Sequence, residues 1–281
     1  MALAELRKLV DPLPAPDSRG MLTTNIDKKK IDQTVAQIAQ GGKASVLGLI
    51  EMLGEPGTVE NSKPHFALHC VVNHALVTDN EKQRKEFCEA LASQVANESL
   101  STYNRAYLCQ ELQWAGRDEA CPALGKALLN EALTDAAATA LAAIGGERAA
   151  SQLRTAMAKA EGKCRVNIID ALAALAVPQS AAIFKEAIKD RDREVRIAAS
   201  IGLANISQAD AANSLLAAAA SAKGWERTQI TKACLVLAEH LAAAGKKADA
   251  RRIYESLKKT RSDKSEQHIK HAVELGLAAI A

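Results

Sequence analysis

Aromatic residues are scarce in this sequence, which has two Trp, three Tyr and three Phe among 281 residues, or 3%. The hydrophobic total is nevertheless 48%, and alanine supplies much of it. A compact single core of this size usually buries large side chains, whereas alanine-rich faces suit helices that pack closely in successive layers. The composition therefore favours a layered helical array over one large core.

A strong net charge and long apolar runs are also lacking. The formal charge is +3, which is too weak to indicate the clustered cationic surface that binds a nucleic acid backbone. No run of about 18 apolar residues is present to span a membrane. The first ten residues, MALAELRKLV, lack the long apolar centre of a secretory signal. We therefore expect no nucleic acid partner, no membrane span and a cytoplasmic location, or a periplasmic one if the natural chain begins further upstream.

Cysteine pairs with metal-binding or redox spacing are absent as well. Neighbouring cysteines are at least 12 residues apart, and none forms a Cys-x-x-Cys motif. Free thiols buried in a core are the predicted state, with no disulfide framework, no metal and no cofactor. The six residues are Cys70, Cys88, Cys109, Cys121, Cys164 and Cys234.

What the sequence does contain is a repeat with a period of 31 residues. The clearest copy is EVRIAASIGLANIS, Glu194 to Ser207, in which apolar residues recur at helical spacing and form one stripe. Related segments begin at Leu133, Cys164 and Glu226, and Leu141, Leu172, Leu203 and Cys234 occupy one column. A fixed period of this length is typical of a repeat array.

The repeats are predicted to be about seven helix pairs, preceded by a capping helix that Asn25 or Asp27 could cap. We expect an N-terminal arm or linker over 1–24 and a solenoid over 25–281. Within the solenoid, 25–130 is irregular, 131–245 regular, and 246–281 a C-terminal pair. The predicted pairs are 43–53 with 64–77, 81–97 with 102–115, 119–130 with 133–144, 147–160 with 163–176, 178–190 with 193–206, 209–222 with 225–244, and 247–260 with 265–281.

The segment DREVRIAASIGLANI, Asp192 to Ile206, resembles the second helix of a HEAT repeat, in the short bacterial form related to phycobilisome-lyase-type repeats. The resemblance extends over roughly residues 43–281. It implies an all-α fold, a right-handed α-solenoid whose second helices line the concave face. It also implies a protein-binding role, since most members bind other proteins and a few are enzymes.

One column of the repeat is rich in cationic side chains. It holds His65, Arg105, Thr134, Arg165, Arg196, Arg227 and, after a register adjustment, Lys270. In similar HEAT repeats an acidic residue in the turn and an arginine in the next helix form a ladder between layers. By position, Glu161 with Arg165 and Asp192 with Arg196 match it. The alternative is an unpaired basic ridge that binds an acidic partner, because arginine offers a fork matched to carboxylates.

Catalytic patterns are few. His65 and His69 are four residues apart, with His74 beyond, and could share a metal-binding face, but no acidic residue completes a set on that helix. The HEAT-like hydroxylases that hold two irons use His-Glu pairs, and this chain has no His-Glu dipeptide. HEAT-like DNA glycosylases need aromatics on a basic concave face, and here Trp114 is predicted to be core.

A basic stretch occurs near the C-terminus. Between Lys246 and His271 there are nine Lys or Arg and four Asp or Glu. It could contact an acidic or phosphate-bearing partner, but a solvated outer helix with mixed charge is the more ordinary interpretation.

The function predicted from these patterns is a non-catalytic scaffold that binds a protein or peptide on its concave face. Two alternatives stay open: an enzyme of bilin lyase, isomerase or metal-dependent type, and an accessory domain of a larger exported protein. The candidate contacts are His69, Asn73, Gln110, Gln113, Arg165, Arg196, Arg227 and Lys232.

Overall fold

The computed structural model describes residues 1–15, 26–55, 58–261 and 263–281, and throughout these residues the regular structure is helical. The predicted all-α class is confirmed, and the chain is built of repeated helix pairs. The α-helices are α1 Leu3–Val10, α2 Lys28–Gln40, α3 Gly42–Glu51, α4 Val59–Val77, α5 Glu81–Gln94, α6 Thr102–Ala115, α7 Cys121–Ala127, α8 Thr134–Ile144, α9 Gly146–Met157, α10 Gly162–Leu175, α11 Ala181–Ala187, α12 Arg193–Ile206, α13 Ala212–Ser221, α14 Gly224–Ala243, α15 Lys247–Thr260 and α16 Gln267–Ala279.

The chain divides into two compact units. Unit 1 comprises Met1–Gln152 and unit 2 comprises Leu153–Ala281. In unit 1 the second helices of successive pairs, α4, α6 and α8, pack side by side, as α10, α12 and α14 do in unit 2. The predicted division into an arm over 1–24 and a solenoid over 25–281 stays a prediction, and residues 16–25 lie outside those described.

Short polar side chains start several of the helices. The carboxylate of Asp27 accepts the backbone N–H of Lys30 at 3.1 Å, which confirms the predicted cap of α2, whereas Asn25 lies outside the described residues. Ser101 caps α6 by accepting the N–H of Asn104, and Asp192 caps α12 by accepting that of Glu194. Each cap satisfies a backbone donor that the helix itself leaves unpaired.

The start of α4 differs from the prediction. Proline is tolerated best in the first turn of a helix, so α4 was expected to begin at Pro64. It begins at Val59 instead, because the Thr58 hydroxyl accepts the N–H of Asn61 and provides an earlier cap. Pro64 therefore lies inside α4, where its missing N–H removes one hydrogen bond of the helix.

Close packing in unit 2 depends on small residues. Phe184 of α11 is fully buried, and its ring lies against the backbone of α12 at Gly202. A Cβ atom added at Gly202 would be 2.5 Å from two carbons of that ring. The absence of a side chain thus lets the two helices of this pair approach closely around a large aromatic residue.

The cysteines are free in the structure, as predicted. Five are buried and Cys70 is half-buried. Burial raises the pKa of Cys88, Cys109 and Cys234 to about 12 each, so these thiols stay protonated and unreactive at neutral pH. Among the described residues, no helix is both long enough and apolar enough to cross a membrane.

The packing at Gly202 generates a stability prediction. Helix propensity alone would make Gly202→Ala stabilising by about 1 kcal/mol. We expect the opposite, a loss of about 1–3 kcal/mol in the free energy of unfolding, because the new methyl group displaces the Phe184 ring. Urea unfolding measures the change. Gly54→Ala is the matched control, since no atom lies within 4 Å of a Cβ at that position. Equal stability of both variants would contradict the packing argument.

Candidate functional site

Three arginines of unit 2 form a ladder between successive layers. Arg165 of α10 donates through Nε to Asp190 at 2.7 Å, and Arg196 of α12 makes a two-pronged ion pair with Glu226 at 2.5 and 2.8 Å. Arg227 of α14 pairs in the same way with Glu266, at 2.7 and 3.0 Å. In each rung the carboxylate belongs to the following layer, so each arginine joins two repeats.

The same arginines also satisfy free carbonyl groups at helix ends. Arg196 donates to the carbonyl oxygens of Asp190 and Arg191, at 2.7 and 3.0 Å, just past the end of α11. Arg165 reaches the carbonyl of Met157, the last residue of α9, at 3.4 Å. One guanidinium therefore neutralises a carboxylate and completes the end of an outer helix.

The carboxylates of the ladder are not those expected from the sequence. Asp190 and Glu226 face Arg165 and Arg196, in place of the expected Glu161 and Asp192. The carboxylate of Asp192 is short and bonds the nearest backbone N–H, that of Glu194, at the start of its own helix. Glu161 occupies the corresponding position before α10 and makes no side-chain cap. The long arginine side chain extends instead to the first turn of the next second helix or to the turn before it.

The ion pairs shift the acidity of their members. Arg196 holds the pKa of Glu226 below its usual range, and Arg227 does the same for Glu266. These carboxylates therefore stay ionised throughout the neutral range. Because the three guanidinium groups are paired and only about a quarter exposed, the ladder presents little uncompensated positive charge.

The remaining members of the predicted basic column differ in their contacts and burial. In unit 1, Arg105 donates to the carbonyl of Val95 at 2.8 Å, close to the end of α5. Thr134 is buried and Lys270 is exposed. A further arginine, Arg84 of α5, is buried and pairs with Glu81 and Glu119.

Clefts lie beside the rungs of the ladder in unit 2. The cleft at Arg196 and Glu226 measures about 540 Å³, and Lys189, Asn213 and Ser214 also line it. Smaller clefts of about 380 and 290 Å³ lie at Arg165 and at Arg227. Each cleft is bordered by one ion pair of the ladder, so the clefts recur with the period of the repeats.

Unit 1 contains a polar cluster between α4 and α6. The ring of His69 lies 3.1 Å through Nδ1 from a carboxylate oxygen of Glu111. Glu111 is buried, with a side chain only 4% exposed, whereas the His69 side chain is 51% exposed. The hydrogen bond to Glu111 raises the pKa of His69 above its ordinary value of 6.5. The carboxylate of this pair therefore lies in the interface between α4 and α6, and the imidazole ring lies at the surface.

His65 belongs to the same cluster but lies beside the amide of Asn104 in place of a carboxylate. Its Nε2 atom lies 3.2 Å from Oδ1 of Asn104, and its ring centroid lies 3.8 Å from that of Tyr107. Burial lowers the pKa of His65. The hydroxyl of Tyr107 donates to the backbone carbonyl of His65 at 2.7 Å, which attaches α6 to α4.

The acidic partner of His69 is on α6, and not on α4, the helix of the histidines themselves, where residues 61–77 include no acidic residue. In the repeat register Glu111 aligns with Gly202, and so it occupies a column where α8, α10, α12 and α14 have Ala140, Ala171, Gly202 and Ala233. A carboxylate within an apolar stripe was the signal that could have identified it. In the described part of the chain, no group of three or more His, Cys, Asp and Glu is arranged to hold a metal ion.

Trp114 is exposed, and its prediction as a core residue is wrong. It is 69% accessible, and it lies in the last turn of α6, one turn beyond the exposed Gln110. The other predicted contacts are distributed over both units. Asn73 on α4, Gln110 on α6 and Lys232 on α14 are exposed, and Gln113 is half-buried.

The ladder generates a prediction for Arg196. Arg196→Ala removes the two-pronged pair with Glu226 and leaves two carbonyl groups unpaired, so the free energy of unfolding should fall by about 1–3 kcal/mol. Arg193→Ala is the control, because the Arg193–Glu194 pair is exposed and should contribute at most about 1 kcal/mol. Thermal or urea unfolding compares the two. An unchanged midpoint for Arg196→Ala would exclude a stabilising ladder.

The polar cluster generates a prediction for acidity. In an NMR titration His69 should have a pKa above 6.5, and Glu111→Gln should lower it. Because the folded-state pKa is raised, the pair stabilises the fold below about pH 6.5 and loses this contribution as pH rises through the folded-state pKa. Glu98→Gln, an exposed loop change, is the control and should leave the His69 pKa in place. An unchanged pKa in Glu111→Gln would contradict the assignment of this ion pair.

Comparison with known proteins agrees with the sequence resemblance. The family model that describes HEAT repeats matches residues 156–235. No curated protein matches the sequence. An engineered protein of known structure is 17% identical with a TM-score of 0.48, and the alignment covers 98% of this chain and 77% of that one.

Two natural proteins are also similar in structure. The CpcE–CpcF complex of phycocyanin lyase from Nostoc sp. PCC7120 is 19% identical, with a TM-score of 0.39 and coverage of 89% of this chain and 98% of that one. The archaeal HEAT-like repeats protein from Thermococcus onnurineus NA1 is 10% identical, with a TM-score of 0.38 and coverage of 91% and 100%. Residues 156–235 therefore consist of HEAT repeats, and the helix pairs described above lie on both sides of this segment.

Proposed function

We propose that this protein is a non-catalytic scaffold that binds a protein or peptide on its second-helix face. This face is defined as the exposed side chains of α4, α6 and α8 in unit 1 and of α10, α12 and α14 in unit 2. Repeated helices present such a surface in a rigid form, so a partner is bound at little cost in conformational entropy.

The observation that carries the proposal is the exposure of Trp114. A tryptophan that is 69% accessible does not contribute its apolar area to the core of the fold. Tyr103, on the same helix, is 57% accessible. Large aromatic side chains of this kind are the residues that most often supply binding energy at protein interfaces.

Amide side chains next to Trp114 add to the proposal. Asn73 on α4 and Gln110 on α6 are exposed, and both can donate to and accept from the backbone of an extended peptide. In unit 2 the face carries Asp170, Ile201 and Lys232, which are spaced 31 residues apart and all exposed. One such residue per layer gives a row of contacts in which each repeat contributes one side chain.

The ladder arginines support this function indirectly. Arg165, Arg196 and Arg227 were expected to be candidate contacts, and their guanidinium groups are bonded to Asp190, Glu226 and Glu266. In our proposal these three residues hold the layers in register while the neighbouring exposed residues meet the partner. A cytoplasmic location remains part of the proposal, supported by the free thiols of the six cysteines.

The test is a quantitative pull-down from native lysate with three proteins: the natural chain, Trp114→Ala and Trp225→Ala. Trp225 is the matched control because it is also exposed, at 62%, but lies in the first turn of α14 at the edge of the face. We expect a specific partner to be retained by the natural chain and by Trp225→Ala and to be lost by Trp114→Ala.

A variant with Gln110, Gln113 and Lys232 changed to Glu extends the test over both units. It should also lose the partner while keeping its circular dichroism spectrum and melting temperature. Retention of the partner by both Trp114→Ala and this variant would place the binding surface elsewhere and overturn the proposal.

A further inference from the structure

The second-helix face of unit 1 is organised as two parallel rows of side chains. The contacts of His65 with Tyr107 and of His69 with Glu111 proceed in the same direction along both helices, so α4 and α6 run parallel. His69 and Asn73 continue the row on α4. The row on α6 has the spacing of one helical face and consists of Tyr103, Tyr107, Gln110 and Trp114.

The two rows end in an exposed apolar area. Leu76 and Val77, in the last turn of α4, are 36% and 77% accessible. In the register set by His69 and Glu111, Trp114 is level with Val72 and Asn73 along the helix axis, about one turn before these two residues. This end of the face can therefore accept an apolar side chain next to an aromatic ring.

Apart from histidine, the charged side chains on this face are acidic. His65 to Val77, Ala106 to Ala115 and Asp135 to Ile144 contain no lysine or arginine, whereas Glu111 and Asp135 are acidic. The cations Lys63 and Arg105 precede these segments. Lys63 donates to the carbonyl of Asp11 and Arg105 to that of Val95, so both are directed at backbone groups.

The carboxylate of Glu111 lies in the seam between the two rows, which is the line of contact between α4 and α6. Its side chain is only 4% exposed, and within the described residues its ion pair is with His69 and not with a lysine or arginine. A buried carboxylate is poorly screened by salt, so its field extends to the surface that covers it. The half-exposed ring of His69 is what lies between this carboxylate and solvent.

We propose that the α4–α6 face binds an extended peptide segment that carries lysine or arginine next to an apolar side chain. This inference rests on the proposed scaffold function and names the chemistry of its partner. The cationic group lies over the ring of Trp114 or Tyr103 and is attracted by Asp135 and, at a pH above the raised pKa of His69, by Glu111. The apolar side chain contacts Leu76 and Val77, and Asn73 and Gln110 bond the peptide backbone. An acidic segment meets two carboxylates and no lysine or arginine to neutralise it.

The experiment uses short fluorescein-labelled peptides in which lysine alternates with alanine around a central leucine. The same peptide with glutamate or glutamine in place of lysine provides the comparison, and fluorescence anisotropy measures binding to the full chain. We expect the lysine peptide to bind at least about tenfold more tightly than the glutamate peptide at low salt, and the difference to shrink as salt is added.

Substitutions on this face separate the contributions of its side chains to peptide binding. Trp114→Ala should weaken the lysine peptide about tenfold, and Asp135→Asn and Glu111→Gln about threefold each. Asp135 is exposed, so Asp135→Asn keeps the test valid if Glu111→Gln disturbs the fold. Glu255→Gln on α15, also an exposed acidic change, is the matched control and should bind like the natural chain.

Two results would overturn the inference. One is equal binding of the lysine and glutamate peptides, and the other is a lysine peptide that is unaffected by both Trp114→Ala and Asp135→Asn. If a native partner depends on Trp114 in the pull-down but the lysine peptide does not bind, the scaffold function stands and the cationic specificity is wrong. If the partner is retained by Trp114→Ala and by the triple variant, and the lysine peptide is unaffected by Trp114→Ala and Asp135→Asn, both proposals fail.

Discussion

Close approach of helices through small side chains is the constraint on which unit 2 depends. Gly202 lets α12 meet the ring of Phe184, and the columns around it are filled largely by alanine. Helices packed in this way bury little area per residue, so each layer relies on its neighbours for stability. The short outer helices also end abruptly, and their last carbonyl groups need donors from elsewhere.

The arginine ladder supplies both the contacts between layers and the donors for these carbonyl groups. A guanidinium has five N–H donors in a rigid plane, enough to pair with a carboxylate of the next layer and to bond carbonyl groups in its own. Arg196 does both, with Glu226 and with the carbonyls of Asp190 and Arg191. Repetition of this arrangement at Arg165 and Arg227 explains why a column of cations need not be a binding surface.

Unit 1 departs from this pattern at the residues where we propose binding. Glu111 replaces the alanine or glycine of α8, α10, α12 and α14, and two histidines and two tyrosines surround the seam that it creates. A buried carboxylate costs free energy unless it is paired. Its pairing with a half-exposed histidine, close to an exposed tryptophan, is more readily explained by recognition of a partner than by stability of the repeats.

The all-α class, the repeat and most helix positions follow from the sequence alone. The 31-residue period, glycine and proline breaks and capping residues are local signals, and α6, α12 and α15 lie where they were predicted, at 102–115, 193–206 and 247–260. Three features become visible only in the folded chain: which carboxylate meets each arginine, the contact of Glu111 with His69, and the exposure of Trp114. These depend on residues 25 to 42 positions apart in the chain, or on which side of a helix its neighbours cover, and periodicity within one helix contains no information about either.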